Sequence, residues 1–506
     1  MIFDRDVQLR VFPEKFQNDA FDIARIFYGG SIHRQIINGA NTIDIISINV
    51  SIADSICVFD LLFNPSPGCV HNVDATINLA GGDSLSYTIK ITLYRMLKAQ
   101  AVAERGGEGS VFLPWGALVG IRPVKIYADF LGKGMRESEI LTEMARLYDV
   151  SDAMSQLCLE IAANQRATIL DYNPGADCML YIGVPFCVTK CAYCSFPSDA
   201  HNQAIKYAPG YIDAILKELH YIANHIKGAG RRLRAVYIGG GTPTALAPRE
   251  LARLLGGYAE AFGEWRPDEI TVEAGRADTI DAEKIAIMRG ISDITARLRL
   301  CINPQSMNLR TLGTIGRAHT PEDVYKAFWS AREAGFSDIN MDIIAGLPGE
   351  DIDDFLYTLD ALSGLRPESI TSHTLCLKRS SRINEFYDRY VHTDDATVAA
   401  MQDAADKRAR QLGMLPYYLY RQKNTIGNLA NTGYAAHGHE CAYNIHEMAD
   451  CVDVFAAGAG AVSKFINHKT GGIHRVFNVK NLLEYIYRSD EMINRKHTYL
   501  TNSSVR

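Results

Sequence analysis

Three cysteines end one short stretch of the chain, Tyr181-Ile-Gly-Val-Pro-Phe-Cys187-Val-Thr-Lys-Cys191-Ala-Tyr-Cys194. An apolar run, Met179 to Val184, leads into them and predicts a buried strand. Three thiolates at this spacing can bind three irons of a cubane cluster and leave the fourth iron open. Four cysteines are expected when a cluster only carries electrons. An open iron is a coordination site, so the stretch predicts chemistry at the end of a strand.

Two alternatives compete with a cluster. A zinc site usually combines a Cys-x-x-Cys unit with a second such unit or with histidines, and no second unit follows in this sequence. A buried group of structural thiols is the other alternative, but Lys190 and Ser195 indicate a loop rather than a core. We therefore favour the open cluster. The later cysteines considered as zinc ligands are isolated from one another: Cys301, Cys376, Cys441 and Cys451.

The pattern Cys-x-x-x-Cys-x-aromatic-Cys after a strand resembles the signature of radical S-adenosylmethionine (SAM) enzymes. In that family, SAM chelates the open iron, and one electron from the cluster cleaves it to methionine and a 5′-deoxyadenosyl radical. The wider Tyr-x-x-x-Pro-Phe-Cys stretch resembles the oxygen-independent coproporphyrinogen III oxidases and their relatives. The resemblance implies SAM and one 4Fe-4S cluster as cofactors, with Cys187, Cys191 and Cys194 as metal ligands and, with Tyr181, as catalytic residues.

Composition limits the class of protein. A chain of 506 residues with 47% apolar content can form two or three domains. A net charge of −6 argues against a nucleic-acid binder. Eleven cysteines without a pairing pattern, and a start that lacks a signal peptide, predict a cytoplasmic protein. No uncharged apolar run approaches membrane-spanning length.

From Met179 onward, short apolar strands alternate with amphipathic helices, and about six such repeats predict a partial barrel. We expect an α/β fold: a radical SAM partial (β/α)6 TIM-type barrel over residues 171–380. An N-terminal α/β domain would span 1–170, and a C-terminal α+β extension that covers the substrate would span 381–506. The predicted barrel strands are Met179–Val184, Ala235–Ile238, Glu269–Glu273, Leu300–Ile302, Asp338–Ile344 and Ser369–Thr374.

The N-terminal part carries periodic segments but no chemical motif. Alternating apolar residues predict strands within Asn41–Leu62 and Ser86–Leu93. Apolar residues at helical spacing predict helices over Ser138–Leu147 and Ala153–Leu170, the second capped by Ser151. The role of this domain is not indicated by its sequence.

Polar residues and a Gly-Gly-Gly-Thr-Pro turn follow the predicted strands, and the carboxyl ends of parallel strands meet at one edge. Glycines let a backbone approach a ligand closely, and this turn resembles the loop that binds the SAM amine. The polar residues match family positions in family order. By resemblance, the SAM contacts are Tyr181, Tyr193, Gly240, Gly241, Thr242, Glu273, Gln305, Arg317 and Asp342.

Each of these residues has a structural alternative. Glu273 and Asp342 could pair with Arg276 or Arg317, because buried charges need partners. Gln305 could cap a turn, and Tyr193 could pack against the strand. The joint placement of the set at strand ends favours the cofactor role.

Aromatic and basic groups occur together after Thr374, in Tyr420-Arg-Gln-Lys-Asn424 and around Lys464, His474 and Arg475. A flat macrocycle that bears propionates needs apolar faces and Arg or Lys forks at its rim. The alternative is a solvated basic surface.

The coproporphyrinogen dehydrogenase branch also carries elements similar to Gly120–Pro123 and Tyr420–Asn424. The resemblance implies oxidative decarboxylation of coproporphyrinogen III to protoporphyrinogen IX in haem biosynthesis, with flavodoxin or ferredoxin as electron donor. Three features depart from the family: Gly183 replaces a frequent histidine, Phe196 a frequent cysteine, and Ile291–Leu298 is an added segment.

A haem-trafficking chaperone is the second hypothesis. Relatives of that kind carry His-Asn-x-x-Tyr-Trp, whereas this chain has Ala442-Tyr-Asn-Ile-His446 in that part. The difference favours the enzyme. The histidines that could serve as axial haem ligands are His437, His439 and His446.

Overall fold

The chain forms two compact units, residues 1–159 with 427–429 and residues 160–426 with 430–506. The predicted boundaries at 170 and 380 stay predictions. The fold is a computed structural model that describes residues 7–12, 14–28, 32–33, 44–53, 56–64, 71–78, 85–107, 111, 113–120, 122–195, 204–378 and 380–503.

The first unit contains a five-stranded sheet in the order β2-β1-β3-β4-β5. The strand β1 pairs in parallel with both neighbours, and β3 to β5 form antiparallel pairs. The prediction of strand within Asn41–Leu62 is confirmed by two strands. The bounds are β1 Val7–Phe12, β2 Ile32–His33, β3 Asp44–Ala53, β4 Ile56–Asn64 and β5 His71–Asn78.

Two helices, α1 (Gln17–Tyr28) and α2 (Leu85–Arg105), pack on each other in this unit. The predicted strand over Ser86–Leu93 is wrong, because these residues begin α2. An alternating pattern of eight residues fits a helix as well when the apolar spacing continues every four residues. Ile89, Leu93, Leu97 and Ala101 keep that spacing and are buried.

Three further helices follow, and the last two confirm the helices predicted over Ser138–Leu147 and Ala153–Leu170. They are α3 (Pro123–Gly132), α4 (Glu137–Tyr148) and α5 (Asp152–Asp171). Ser151 caps α5, as predicted: the Met154 N–H donates to its Oγ over 3.4 Å.

The second unit is built on an eleven-stranded sheet in the order β12-β13-β11-β10-β9-β8-β7-β6-β14-β15-β16. Strands β6 to β11 are parallel and stand in chain order, which confirms the six predicted barrel strands. Their bounds are β6 Asp177–Val184, β7 Arg232–Gly240, β8 Glu269–Glu273, β9 Arg297–Cys301, β10 Ile339–Ala345 and β11 Ser369–Thr374.

Helices connect these strands and cover the sheet, as parallel pairing requires. Strand β6 is buried on both faces: Met179, Leu180 and Ile182 are all inaccessible to solvent. The helices are α6 Ala208–Gly228, α7 Pro248–Phe262, α8 Ala282–Arg289, α9 Leu309–Thr314, α10 Pro321–Glu333, α11 Ile352–Leu365, α12 Arg382–Glu385 and α13 Asp395–Gln411.

The chain after α13 extends both edges of the sheet and leaves the barrel open. Strand β13 pairs antiparallel with β11, and β12 with β13. At the other edge β14 pairs in parallel with β6, and β15 and β16 follow antiparallel. The elements are β12 Leu415–Arg421, β13 Ala430–Ala435, α14 Ala442–Ala449, β14 Asp453–Ala457, β15 Val462–Asn467, β16 Gly472–Phe477, α15 Leu482–Tyr487 and α16 Ser489–Ser503.

Candidate active site

The three cysteines lie in a loop, residues 185–195, at the carboxyl end of β6. Cys191 is buried, whereas Cys187 and Cys194 are half-buried. The chain around α9 anchors this cysteine loop: the Ala192 N–H donates to the Ile315 carbonyl over 2.8 Å, and Thr189 Oγ1 donates to Gly316 over 3.1 Å. The predicted loop at this position is therefore confirmed.

The glycine turn after β7 packs directly on the cysteine loop. Gly241 N–H donates to the Val184 carbonyl and Thr242 N–H to the Phe186 carbonyl, each over 2.7 Å. A Cβ on Gly241 would lie 3.0 Å from Cys187 Sγ, and one on Gly240 would lie 2.9 Å from Val184 N. Glycine is needed here because the two backbones approach so closely.

Gln305 and Arg317 are held at the carboxyl ends of the same parallel strands by hydrogen bonds to the backbone. Gln305 takes a left-handed conformation, φ 67°, and bonds through its backbone to Asp342 and Ile344 of β10. Arg317 Nη1 donates to the carbonyls of Gly275 and Asn303 over 2.9 and 2.8 Å. The structure thus brings together side chains that follow different strands.

The two carboxylates do not pair with an arginine among the described residues, so the structural alternative for them is wrong. Glu273 accepts a hydrogen bond from the Tyr237 hydroxyl over 2.5 Å. Asp342 accepts one from Asn340 Nδ2 over 2.7 Å and lies 3.5 Å from His373 Nε2. Arg276 pairs instead with Asp278.

The different surroundings of Glu273 and Asp342 shift the pKa values of their carboxyl groups in different directions. Burial raises the pKa of Glu273 to about 7. Burial also opposes ionisation of Asp342, but the contact with His373 and the hydrogen bond from Asn340 outweigh it and hold the pKa of Asp342 below its usual range. One carboxyl therefore titrates near neutral pH while the other stays ionised, a separation typical of functional sites.

The two predicted tyrosines frame this edge of the sheet. Tyr181 on β6 stacks on Tyr237 of β7, with ring centroids 6.4 Å apart and planes inclined by 17°. The Tyr193 hydroxyl accepts a hydrogen bond from Arg317 Nη2 over 2.8 Å. Burial raises the pKa of both tyrosine hydroxyls, so both are neutral at physiological pH.

Three buried polar atoms at this edge have no hydrogen-bond partner within the described part of the chain. They are Asn303 Oδ1, Gln305 Oε1 and Arg317 Nε. Buried polar groups are normally paired, and unpaired ones indicate a missing ligand or water. The set offers acceptors and a donor, which suits a ligand that has amine, carboxylate and ribose groups.

The described cysteine thiols do not converge on one point: no three His, Cys, Asp or Glu side chains of the described residues lie close enough to hold a single metal ion. A cubane binds each cysteine to a different iron, so its ligands need no common point. The Thr242 hydroxyl lies 3.6 Å from Cys187 Sγ. The loop, the glycine turn and the unpaired polar atoms thus fit a cluster with a chelating ligand beside it.

Three residues at the carboxyl end of the strands were not predicted from the sequence as part of the cofactor site. They are Tyr237, His373 and Tyr420, which contacts His373. The Tyr420 hydroxyl lies 3.2 Å from His373 Nδ1. Tyr237 stands on the same face of β7 as Gly239, two residues on, and His373 is the fifth residue of β11. Strand alternation could have placed both on the inner face.

Gly183, where the family often has histidine, is enclosed by the turn that follows β14. The Tyr211 hydroxyl donates to its carbonyl over 2.5 Å. A Cβ at this position would lie 3.3 Å from the Tyr181 ring and 3.5 Å from the Ala457 carbonyl. A side chain at this position would therefore require a small shift of the Tyr181 ring. Phe196 lies outside the described residues.

Two of the C-terminal polar residues predicted as substrate contacts make contacts within the fold. Lys464 is buried and pairs with Asp450 over 2.9 Å. His474 stacks on Tyr499 of α16, with centroids 4.1 Å apart, on the edge strand β16. Lys464 therefore serves the fold and is not available to a propionate.

Comparison with known proteins identifies the chain. Residues 181–362 match the Radical SAM superfamily. The chain is 39% identical over 392 residues to the oxygen-independent coproporphyrinogen-III oxidase-like protein HemZ of Bacillus subtilis, covering 76% of this chain and 77% of that one. The chain belongs to this radical SAM family. Membership implies a 4Fe-4S cluster and SAM as cofactors, and it confirms the predicted fold class.

Other relatives are more distant. The heme chaperone HemW of Mycobacterium tuberculosis is 28% identical over 311 residues, covering 61% of this radical SAM chain and 73% of that one. The solved structure of coproporphyrinogen III oxidase HemN from Escherichia coli is 22% identical with a TM-score of 0.49, covering 66% and 73%. No described helix of the chain is long and apolar enough to cross a membrane.

Proposed function

We propose that this chain catalyses the oxygen-independent oxidative decarboxylation of coproporphyrinogen III to protoporphyrinogen IX, in the cytoplasm. The observation that carries the proposal is the carboxyl end of the parallel strands, where the cysteine loop lies beside buried polar atoms of Asn303, Gln305 and Arg317 that have no hydrogen-bond partner among the described residues. The name of the HemZ relative supports the substrate. Flavodoxin or ferredoxin is the electron donor that we propose.

Cys187, Cys191 and Cys194 would hold three irons of the cluster. When bound, the cluster and SAM would supply an organic radical that takes one hydrogen atom from a propionate of the substrate, which would then lose carbon dioxide and one electron to give the vinyl group. The cysteine loop would keep its shape through the bonds from Ala192 and Thr189 to the chain after α9. The glycine turn would support the loop at Cys187, because its backbone packs directly on Val184 and Phe186.

The polar strand ends would orient SAM by charge and hydrogen bonding. Glu273 and Asp342 offer carboxylates that no arginine of the described residues neutralises, so they can face a cationic ligand and a ribose. Gln305 Oε1 and Arg317 Nε are the unpaired acceptor and donor that complete the set. Fixed groups of this kind position a reactive carbon without further reorganisation.

The inner face of the sheet supplies an aromatic wall for a flat substrate. Tyr181, Tyr237 and Tyr420 pack against one hydrophobic cluster. Tyr418 lies parallel to Tyr420, with centroids 6.1 Å apart and planes inclined by 12°. Such a wall would exclude water from a radical and present a propionate near the carboxyl edge.

Haem delivery remains the second candidate because HemW relatives carry that name. The three histidines considered as axial ligands give it little support. His437 is exposed, and His439 lies 3.3 Å from Asp338, before the start of β10. His446 is buried against Tyr172, with ring centroids 3.8 Å apart, and burial lowers its pKa to about 4.

An anaerobic turnover assay tests the proposal. The full chain with its cluster reconstituted is given reductant, SAM and coproporphyrinogen III, and both 5′-deoxyadenosine and protoporphyrinogen IX are followed. We expect both products to rise together and to depend on the tetrapyrrole. SAM cleavage without a vinyl product, combined with tight binding of added haem, would replace the enzyme by the chaperone.

A further inference from the structure

A buried guanidinium lies directly behind the cysteine loop. Arg276 follows β8 and is 2% exposed. Its Nη1 lies 2.6 Å from Thr189 Oγ1 and 3.8 Å from Cys191 Sγ. One side chain therefore contacts both Thr189, which anchors the loop to Gly316, and a cysteine that we propose as an iron ligand.

Asp278 fixes the orientation of this guanidinium. Arg276 Nε donates to Oδ1 over 3.0 Å and Nη2 to Oδ2 over 2.8 Å, a bidentate pair. Nη1 is thus the group left to face the loop. Because Nη1 carries two N–H bonds, it can donate to Thr189 and to the Cys191 sulfur at the same time.

Anchoring the loop does not require this charge. Thr189 Oγ1 also contacts the Gly316 carbonyl, and Ala192 is bonded to Ile315. An arginine is always charged, so burying one beside a cysteine places a permanent positive charge there. In a buried environment that charge acts on its neighbours more strongly than it would in water.

We propose that Arg276 sets the reduction potential of the cluster through Cys191. This inference rests on the proposed function, because it needs a cluster on that cysteine. Reduction adds one electron from an external donor to the cluster and leaves Arg276 protonated throughout. Charge and hydrogen bonds at a ligand sulfur shift the potential, and a positive group stabilises the more negative reduced state. Asp278 opposes it by partly neutralising the guanidinium.

The test is a redox titration of the reconstituted full chain without SAM, followed by electron paramagnetic resonance with titanium(III) citrate as reductant. Arg276→Met should lower the midpoint potential, by about 59 mV for a tenfold change in the equilibrium constant of one-electron reduction. Arg276→Lys keeps the charge but loses the bidentate guanidinium, so its midpoint potential should lie between those of the wild type and Arg276→Met. Asp278→Asn should raise the potential.

A matched control comes from Lys284, which holds the neighbouring turn. Its Nζ donates to the carbonyls of Thr244 and Thr279 over 2.7 and 3.1 Å. Lys284→Met removes a mostly buried cation without changing the cysteine loop. The midpoint potential of the cluster in this variant should therefore match the wild type. Iron content and melting temperature of every variant show whether the protein folded and loaded its cluster.

The outcomes separate this inference from the proposed function. A wild-type chain that loads no cluster would overturn the proposed function. A loaded Arg276→Met cluster with the wild-type potential would overturn the role of Arg276 alone, as would shifts of the same sign in Arg276→Met and Asp278→Asn. If Arg276→Met does not load iron, the midpoint potentials of Arg276→Lys and Asp278→Asn are compared instead. A lower potential in the first and a higher potential in the second support the role of Arg276, and shifts of the same sign overturn it.

Discussion

The two ends of the same parallel strands carry buried charges that are arranged differently. At the amino end, Arg297 pairs with Glu269 over 2.6 Å and with Asp338 over 3.5 Å. At the carboxyl end, Glu273 and Asp342 have no Arg or Lys partner among the described residues and contact Tyr237, Asn340 and His373 instead. Glu269 and Glu273 are the first and last residues of one strand, β8.

The difference separates charges that serve the fold from charges that can serve a ligand. Buried groups that pair with each other are costly to break, because removal of one leaves its partner uncompensated. Carboxyl groups without an Arg or Lys partner among the described residues can instead pair with an incoming cationic ligand, and one of them titrates near neutral pH. The amino end would hold the sheet together, and the carboxyl end would bind the cofactors.

The largest expected effect compares two cysteines at the two ends of β6. Cys191→Ala should abolish cluster absorbance and SAM cleavage together, because it removes an iron ligand. Cys178→Ala is the control: its Sγ contacts the Arg232 carbonyl over 3.5 Å, at the amino end. That variant should load wild-type iron. Retention of SAM cleavage by Cys191→Ala would refute the cluster assignment.

The same change, Glu to Gln, should affect stability differently at the two ends of β8. Glu269→Gln leaves Arg297 without its closest carboxylate and should lower the free energy of unfolding by about 3 kcal/mol. Glu273→Gln removes a buried carboxyl that has no Arg or Lys partner in the described part of the chain, so the apoprotein should be as stable as wild type or more stable at pH 8. Urea unfolding midpoints check both. Equal losses in the two variants would contradict the distinction.

Binding of SAM should depend on pH through Glu273. Because burial raises its pKa to about 7, the carboxylate forms as pH rises through that value. Affinity for the cationic ligand should therefore increase up to about tenfold between pH 6 and pH 8. Equilibrium dialysis of the reconstituted protein measures it. Glu273→Gln should show weaker binding that is flat over this range, and an unchanged slope would exclude Glu273 as the cause.

The same group gives a stability effect of opposite sign in the apoprotein. Its folded pKa lies above the ordinary value of 4.5, so the folded state binds more protons than the unfolded one between about pH 4.5 and 7. The free energy of unfolding should fall as pH rises through this window and level off above it. Relative to wild type, Glu273→Gln should gain stability across the window, and a constant difference would contradict this.

The smallest expected effect concerns His373. It lies 3.5 Å from Asp342 and accepts or donates a hydrogen bond with Tyr420. His373→Gln should weaken SAM binding by about fivefold, about 1 kcal/mol, because Asp342 loses one orienting contact. Tyr420→Phe keeps the ring and should have less effect. Calorimetric titration of both variants checks the order.

The sequence predicted the barrel well, because its signals are local. Glu269–Glu273 and Ser369–Thr374 have the predicted bounds in the structure, and the Ile, Val and Thr residues in them are β-branched and favour a strand. The strand order then places Glu273, Gln305 and Asp342 at one edge, and their meeting there follows from parallel pairing.

Long-range pairing was not predictable in the same way. Strand β14, distant in the chain, lies beside β6 and encloses Gly183 through the turn after Ala457. Two other contacts also depend on how distant segments pack together. They are the ion pair of Asp450 with Lys464 and the contact of Arg276 with Cys191. Charge in the sequence shows that a partner is needed, but the fold selects the partner.

We infer that the carboxyl ends of the parallel strands bind a cluster and SAM side by side. Electron paramagnetic resonance of the reduced, anaerobically reconstituted full chain, recorded with and without SAM, tests it most directly. We expect a 4Fe-4S signal that changes when SAM is added, and that no longer responds to SAM in a variant with Glu273→Gln and Asp342→Asn combined. A chain that loads no 4Fe-4S cluster, or a wild-type signal unaffected by saturating SAM, would contradict it.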